Sequence, residues 1–175
     1  MLQNAMAAPD LPGELERLHP ASFSWALTCC GREREEAEDV LQTSYMKLLD
    51  GRARFDGRST LKSFLFGVIL RTAAESRRRH RLERWRGAIL GLRAPDPTPP
   101  HGPEELASRS EEVARLRGAL PRLPRRQRQV LELVFGQEMT IAEAADVLGI
   151  GIGSARTHYD RGKKRLAREL DRGRR

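Results

Sequence analysis

The chain has 175 residues, with 32 Lys and Arg against 24 Asp and Glu and a formal net charge of +8, so a polyanion is the first partner to consider. Its length suits one ordinary domain or two small ones, and with aromatic residues at 5% and charged residues at 32% the composition favours helices over sheets. The two cysteines, Cys29 and Cys30, are adjacent and cannot staple distant parts of a fold, which excludes a disulfide-dependent secreted mini-protein.

No membrane-spanning helix is expected, because the longest strongly apolar run, residues 64–70, is closed by Arg71, far short of the roughly 18–20 residues that cross a bilayer. Residues 1–6 show neither a basic leader nor a long apolar stretch, so a cytoplasmic protein is expected.

The first recognisable element lies between Glu33 and Asp50. Ala37, Val40, Leu41, Tyr45, Leu48 and Leu49 recur there at three- and four-residue steps, which places them on one face of a helix. Glu38, Asp39, Gln42 and Lys47 occupy the opposite face. Gly51 and the run Phe55-Asp56-Gly57-Arg58-Ser59 break the pattern, and Ser59 or Thr60 is placed to cap the next helix. That helix opens with Leu61, Phe64, Leu65, Val68 and Ile69 and then turns basic. Arg71, Arg77, Arg78, Arg79, Arg81, Arg84 and Arg86 face only Glu75 and Glu83. Such a run either solvates a helix end or, held on an ordered helix, tracks a phosphate backbone.

Five prolines fall within residues 94–103, and each removes an amide donor and biases its predecessor towards extended backbone. With Glu104, Glu105, Glu111 and Glu112 following, residues 91–111 read as a Pro-rich acidic linker. The expected fold is all-α: two small helical domains, residues 14–90 and 112–172, joined by that flexible linker.

In the second domain Leu123-Pro124 opens a helix whose apolar stripe is Val130, Leu131, Val134 and Phe135. Thr140 and Glu143 form a capping-box pair for a short helix, residues 141–148. Gly149 ends it in a left-handed turn, Ile150 packs beneath, and a final helix from about Gly153 runs through Ala155, Tyr159 and Leu166. This is a helix-turn-helix pattern. Its second helix offers Ser154, Arg156, Thr157, His158 and Arg161 outward, with Arg suited to guanine edges and Ser and Thr to phosphates. A basic solvated helix in an unrelated bundle is the alternative.

These residues carry a resemblance. Residues 37–42 (Ala-Glu-Asp-Val-Leu-Gln), Phe55-Asp56-Gly57, Phe64-Leu65 and the Arg-rich helix end resemble the first conserved domain of bacterial extracytoplasmic-function sigma factors, a group within the sigma-70 family. Residues 123–131, 144–150 and 153–157 resemble the second, so the likeness spans about residues 15–170. It implies a subunit that binds core RNA polymerase, directs it to a promoter and helps melt the DNA. Asp39, Leu41 and Gln42 match positions that engage the polymerase. Phe55, Asp56, Arg58 and Ser59, with Arg71, Arg77, Arg78 and Arg79, match the part that holds the single-stranded −10 element. Ser154, Arg156, Thr157, His158, Arg161, Lys163 and Lys164 match the part that faces the duplex −35 element. The sequence has Phe64, Arg71 and Glu75 where the family usually has Trp, Asn and Asp, and His158 and Asp160 are unusual in the last helix. An anti-sigma factor, in some cases membrane-bound, is the implied inhibitory partner; the chain itself is not expected to insert into a membrane.

No enzyme, cofactor or metal site is expected. His19, His80, His101 and His158 have no metal-ligand spacing, and Cys29-Cys30 is not a Cys-x-x-Cys pair. The glycines at 149, 151 and 153 follow a helix rather than a strand and lack the rest of a phosphate-loop fingerprint. A stand-alone helix-turn-helix regulator is the alternative function; residues 37–42 and 55–81 discriminate, since such a regulator needs no polymerase-binding face or melting domain. A basic RNA-binding protein is a third reading.

Overall fold

The computed structural model describes residues 10–89, 115–116 and 118–172, and every regular element among them is helical. The linker expected over residues 91–111 lies outside the described residues.

Helix α1 spans Leu11–Cys29, with the Asp10 carboxylate accepting from the Gly13 amide at 3.3 Å and Pro20 carried inside. Two successive positive φ angles, at Gly31 and Arg32, end it and turn the chain. Helix α2, Arg34–Leu49, begins with Glu35 and Glu36, whose charge suits the positive end of the helix dipole. It buries Ala37, Val40, Leu41, Ser44 and Leu48, the expected stripe. Leu49, expected on that stripe, is exposed, because the helix ends there and the chain turns away through Gly51. Helix α3 runs from Leu61 to Ile89, capped by Thr60, whose hydroxyl accepts from the Ser63 amide at 3.1 Å.

The first half of α3 is buried on nearly every side: Leu65, Phe66, Val68, Ile69 and Ala73 are all below 4% exposed. A helix so apolar must be enclosed. Helices α1 and α2 cover part of it, and Trp25 of α1, fully buried, stacks near-parallel on Phe66 and donates its Nε1–H to the Phe66 carbonyl at 3.0 Å.

The C-terminal part covers the rest. It comprises a short 3-10 turn, Leu120–Arg122, helix α4 (Arg125–Leu131), a π-type turn (Glu132–Gly136), helix α5 (Ile141–Leu148) and helix α6 (Ile152–Arg172). Helix α5 packs on α3, and Val130, Leu133, Met139, Ala144, Val147 and Leu148 share one apolar core with the first three helices. Lys62 of α3 donates to the Gln137 carbonyl at 2.6 Å across this junction. The π-type turn, closed by the Gln137 amide on the Glu132 carbonyl at 3.0 Å, inserts a residue into the helical register. Phe135, expected in the apolar stripe, is therefore 60% exposed and stacks on Tyr159 instead.

Where α1 ends, the junction is rich in charge. The Arg77 guanidinium donates to the Cys29 carbonyl at 2.5 Å, satisfying one of the carbonyls a helix leaves open at its C-terminus. Arg125 and Arg128 of α4 lie close to Cys29, and Arg77 and Arg125 repel one another. Glu132 is held near Thr28, Arg32 and Arg128, and burial pushes its carboxyl above the usual range. Burial likewise pushes the Cys29 thiol up, and the Cys30 thiol up to about 12, so the pair occupies the core as two small unreactive side chains.

Candidate nucleic-acid interface

The helix-turn-helix is built as its sequence demands. The Thr140 hydroxyl accepts from the Glu143 amide at 3.2 Å, and the Glu143 carboxylate accepts from the Thr140 amide at 2.8 Å. The Thr140 amide and the Thr140 hydroxyl, which donates to the same carboxylate at 2.8 Å, hold the Glu143 carboxyl below its ordinary range. Gly149 adopts φ +62°, and the Ile150 amide reaches back to the Ala145 carbonyl at 3.0 Å, closing the turn that aims α6. Ala145 and Ala155 are buried where α5 and α6 meet. Further along, Gly162 lets α6 cross α4 closely: a Cβ there would lie 3.1 Å from Leu131 Cδ1.

The outer face of α6 presents Ser154, Arg156, Thr157, Arg161, Lys163 and Lys164 to solvent. His158, expected outward, is half-buried with its Nδ1 enclosed and unpartnered, because it sits three residues after the buried Ala155 and shares its face. Thr157 donates its hydroxyl to the Gly153 carbonyl at 3.0 Å, leaving oxygen lone pairs rather than the proton for a ligand. Arg161, Lys164, Arg165, Arg168 and Arg172 border a shallow groove of about 410 Å³. Lys163 lies 5.1 Å from the centre of the Tyr159 ring.

The second basic site lies at the start of α3. The loop between α2 and α3 is shaped by two short-range acidic brackets. Asp50 accepts from the Arg52 amide and guanidinium at 3.2 and 2.7 Å, and the Arg52 guanidinium holds the Asp50 carboxyl below its usual range. Asp56 accepts from the Arg58 amide at 3.2 Å and pairs with its guanidinium at 3.1 Å, around Gly57 at φ +75°. Asp56 thus shapes the loop, while Arg58 projects outward and the Phe55 ring, 41% exposed, rests on Phe64 at 5.4 Å.

Beside this loop a cleft of about 420 Å³ is lined by Lys47, Arg52, Arg54, Phe64, Arg71 and Glu75, among others. Sequence reasoning put Lys47 on the open polar face of α2. Instead its ammonium is largely enclosed and donates to the Thr72 hydroxyl at 3.1 Å and the Glu75 carboxylate at 2.6 Å. Lys47, Arg54 and Thr72 line this cleft, though none was expected there. The charge complementarity of Lys47 and Glu75 was the available signal, and only the packing of α2 on α3 brings the two together.

The remaining expected residues divide clearly. Asp39 and Gln42 are exposed on α2, whereas Leu41 is 3% exposed and supports that face from within the core. Exposed Met46 and Leu49 continue the row that begins at Asp39 and Gln42. Ser59 is half-buried, with its hydroxyl donating to the Thr60 carbonyl at 3.3 Å. Arg71, Arg78 and Arg79 are exposed; Arg77 is turned inward to Cys29. Among the described residues, no group of three or more His, Cys, Asp or Glu side chains could hold a metal ion, and no helix is long and apolar enough to cross a membrane.

Comparison with known proteins matches residues 15–83 to Sigma-70 region 2 and residues 114–166 to Sigma-70, region 4. The chain is 30% identical over 144 residues to the ECF RNA polymerase sigma factor SigX of Bacillus subtilis, covering 80% of this chain and 73% of that one. It is 25% identical to CnrH of Cupriavidus metallidurans, over 91% of this chain and 86% of that protein. The structure superposes on RpoE of Bartonella quintana, solved in complex with the anti-sigma factor NepR, with a TM-score of 0.71 at 25% identity, covering 93% and 97% of the two chains. CnrH in complex with the cytosolic domain of CnrY shares the fold, with a TM-score of 0.61 at 22% identity over 92% and 87%. Two region matches in chain order, a relative at 30% identity and an intact helix-turn-helix give one conclusion: the chain belongs to the extracytoplasmic-function sigma factors, DNA-binding subunits that direct RNA polymerase to initiate transcription.

Proposed function

We propose that this sigma factor engages core RNA polymerase through the exposed row Asp39, Gln42, Met46 and Leu49 on α2, holds an unpaired −10 base at the cleft beside Phe55 and Arg58, and reads the duplex −35 element with Arg156, Thr157 and Arg161. The observation that carries this reading is the pairing of a complete helix-turn-helix with a separate basic, aromatic-edged cleft; a stand-alone regulator would need only the former. Extracting a base costs a few kcal/mol of lost stacking, and the Phe55–Phe64 aromatic pair beside Arg54 and Arg71 offers stacking and phosphate contacts that offset it.

The two readers must separate to do this. The −10 and −35 positions differ by 25 base pairs, or about 85 Å at 3.4 Å each, whereas Lys62 at the cleft's end of α3 touches Gln137 just before the helix-turn-helix. The 25 residues 90–114 can span about 82–90 Å at full extension, enough for that separation. The closed arrangement is thus a state of the free chain. An anti-sigma factor is the proposed inhibitor, supported by two structural neighbours that were each solved with a partner, NepR and the cytosolic domain of CnrY. The reading places the protein in the cytoplasm, with no reaction or cofactor of its own.

In vitro transcription with purified core polymerase tests the proposal. Addition of the chain should give promoter-dependent initiation, and the double variant Asp39→Ala/Gln42→Ala should lower it together with co-purification on core. Core binding unchanged by the double variant removes α2 as the docking face.

A further inference from the structure

The face of α3 that borders the cleft does not stop where the packed body ends. Phe64, Val68, Arg71 and Glu75 line the cleft, and the same three- and four-residue steps continue through Arg78, Leu82, Trp85 and Ile89. An α-helix drifts only about 20° per seven residues against such a pattern, so these residues extend one face beyond the packed body. All of residues 78–86 are exposed, with Trp85 at 61%, Leu82 at 46% and Ile89 at 63%. Arg78 and Arg81 sit seven and four residues before Trp85, on its side of the helix, while Glu83 lies about 200° around it. Glu75, the one acid on the face, is paired with Lys47.

From this continuity we infer that Trp85, with Arg78 and Arg81 on its N-terminal side, is a second stacking platform for single-stranded DNA, taking the strand that leaves the cleft. The inference rests on the proposal that the cleft holds an unpaired base. Arg71 and Trp85 are 14 residues apart, about 21 Å along the helix, which spans about six nucleotides at a stacked spacing of 3.4 Å. An indole beside guanidinium groups binds any base through its π-face while the cations follow the phosphates. The charge selects a polyanion over a neutral apolar partner for this exposed stripe, and Trp85 selects unpaired bases over duplex, whose π-faces are covered.

The test measures binding of the full chain to a fluorescein-labelled, unstructured DNA strand of about 20 nucleotides, and to the same sequence as duplex, by anisotropy at fixed salt. Trp85→Ala should weaken single-strand binding about tenfold, Trp85→Phe should retain most of it, and duplex binding should change less than about twofold. Tryptophan emission of the wild type should be quenched by the strand; the chain's other tryptophan, Trp25, is buried and stays constant. Unchanged single-strand affinity in Trp85→Ala overturns the inference, as does an equal loss on strand and duplex. Phe55→Ala separates the two levels: if it weakens single-strand binding and Trp85→Ala does not, only the platform fails. If the wild type binds no single strand, or neither substitution matters, the cleft reading fails with it.

Discussion

Replacing Arg77 by Ala separates a structural arginine from the exposed arginines beside it that are proposed to contact DNA. Arg77 donates to the Cys29 carbonyl at 2.5 Å and is partly buried, whereas Arg78, the next residue, is exposed. A hydrogen bond from a charged donor contributes about 1.5–3 kcal/mol. Relief of the repulsion between Arg77 and Arg125 offsets part of this, leaving a loss of about 1–2 kcal/mol. For a chain of this length that is a fall in melting temperature of about 2–8 °C. Arg78→Ala should shift melting little, as exposed substitutions do. It should instead lower the slope of log affinity against log salt by about 0.7–0.9, the share of one phosphate contact. Calorimetry and salt titrations of DNA binding read the two effects independently. If Arg77→Ala melts with the wild type and lowers the salt slope, Arg77 reaches DNA and its inward placement is wrong.

Three further outcomes follow from the geometry. Arg156→Ala should cost about 1–3 kcal/mol and relax preference at one −35 position, while Lys164→Ala should weaken binding evenly across sequences, as competition with base-substituted duplexes will show. Glu132→Gln should raise the melting temperature at pH 7.5 and lose that advantage near pH 4. Burial raises the native pKa of Glu132 above 4.5, so its favourable contribution is present below the ordinary value and is lost as pH rises through the raised one; a variant less stable than wild type at pH 7.5 refutes this. Fluorophores at Arg58→Cys and Arg156→Cys, in a background where the native cysteines stay unlabelled because they are buried, should show high energy transfer in the free chain and low transfer in polymerase–promoter complexes. Low transfer in the free chain would refute the closed arrangement.

Local signals were legible wherever their cause was local. The Thr140–Glu143 capping box, the left-handed Gly149 and the span of α5 are set by hydrogen bonds and backbone sterics within a few residues, so sequence alone determined them. The buried stripe of α2 followed from its 3.6-residue period, and the order of the two motif sets was enough to indicate the family. Tertiary structure decided what depends on which surface meets which. Lys47 lies on a helix whose boundaries were read correctly, yet it was assigned to the open face. Packing against α3 largely encloses it and pairs it with Glu75. Arg77 is chemically identical to Arg78, and only the end of α1, with an open Cys29 carbonyl, makes one a bracket and leaves the other free. The π-type turn that expels Phe135 and the burial of α3 beneath α5 have no local signature. The burial arises because the apolar first half of α3 has more surface than α1 and α2 can cover, and a long-range packing demand of that kind is written in the whole core rather than in any one segment.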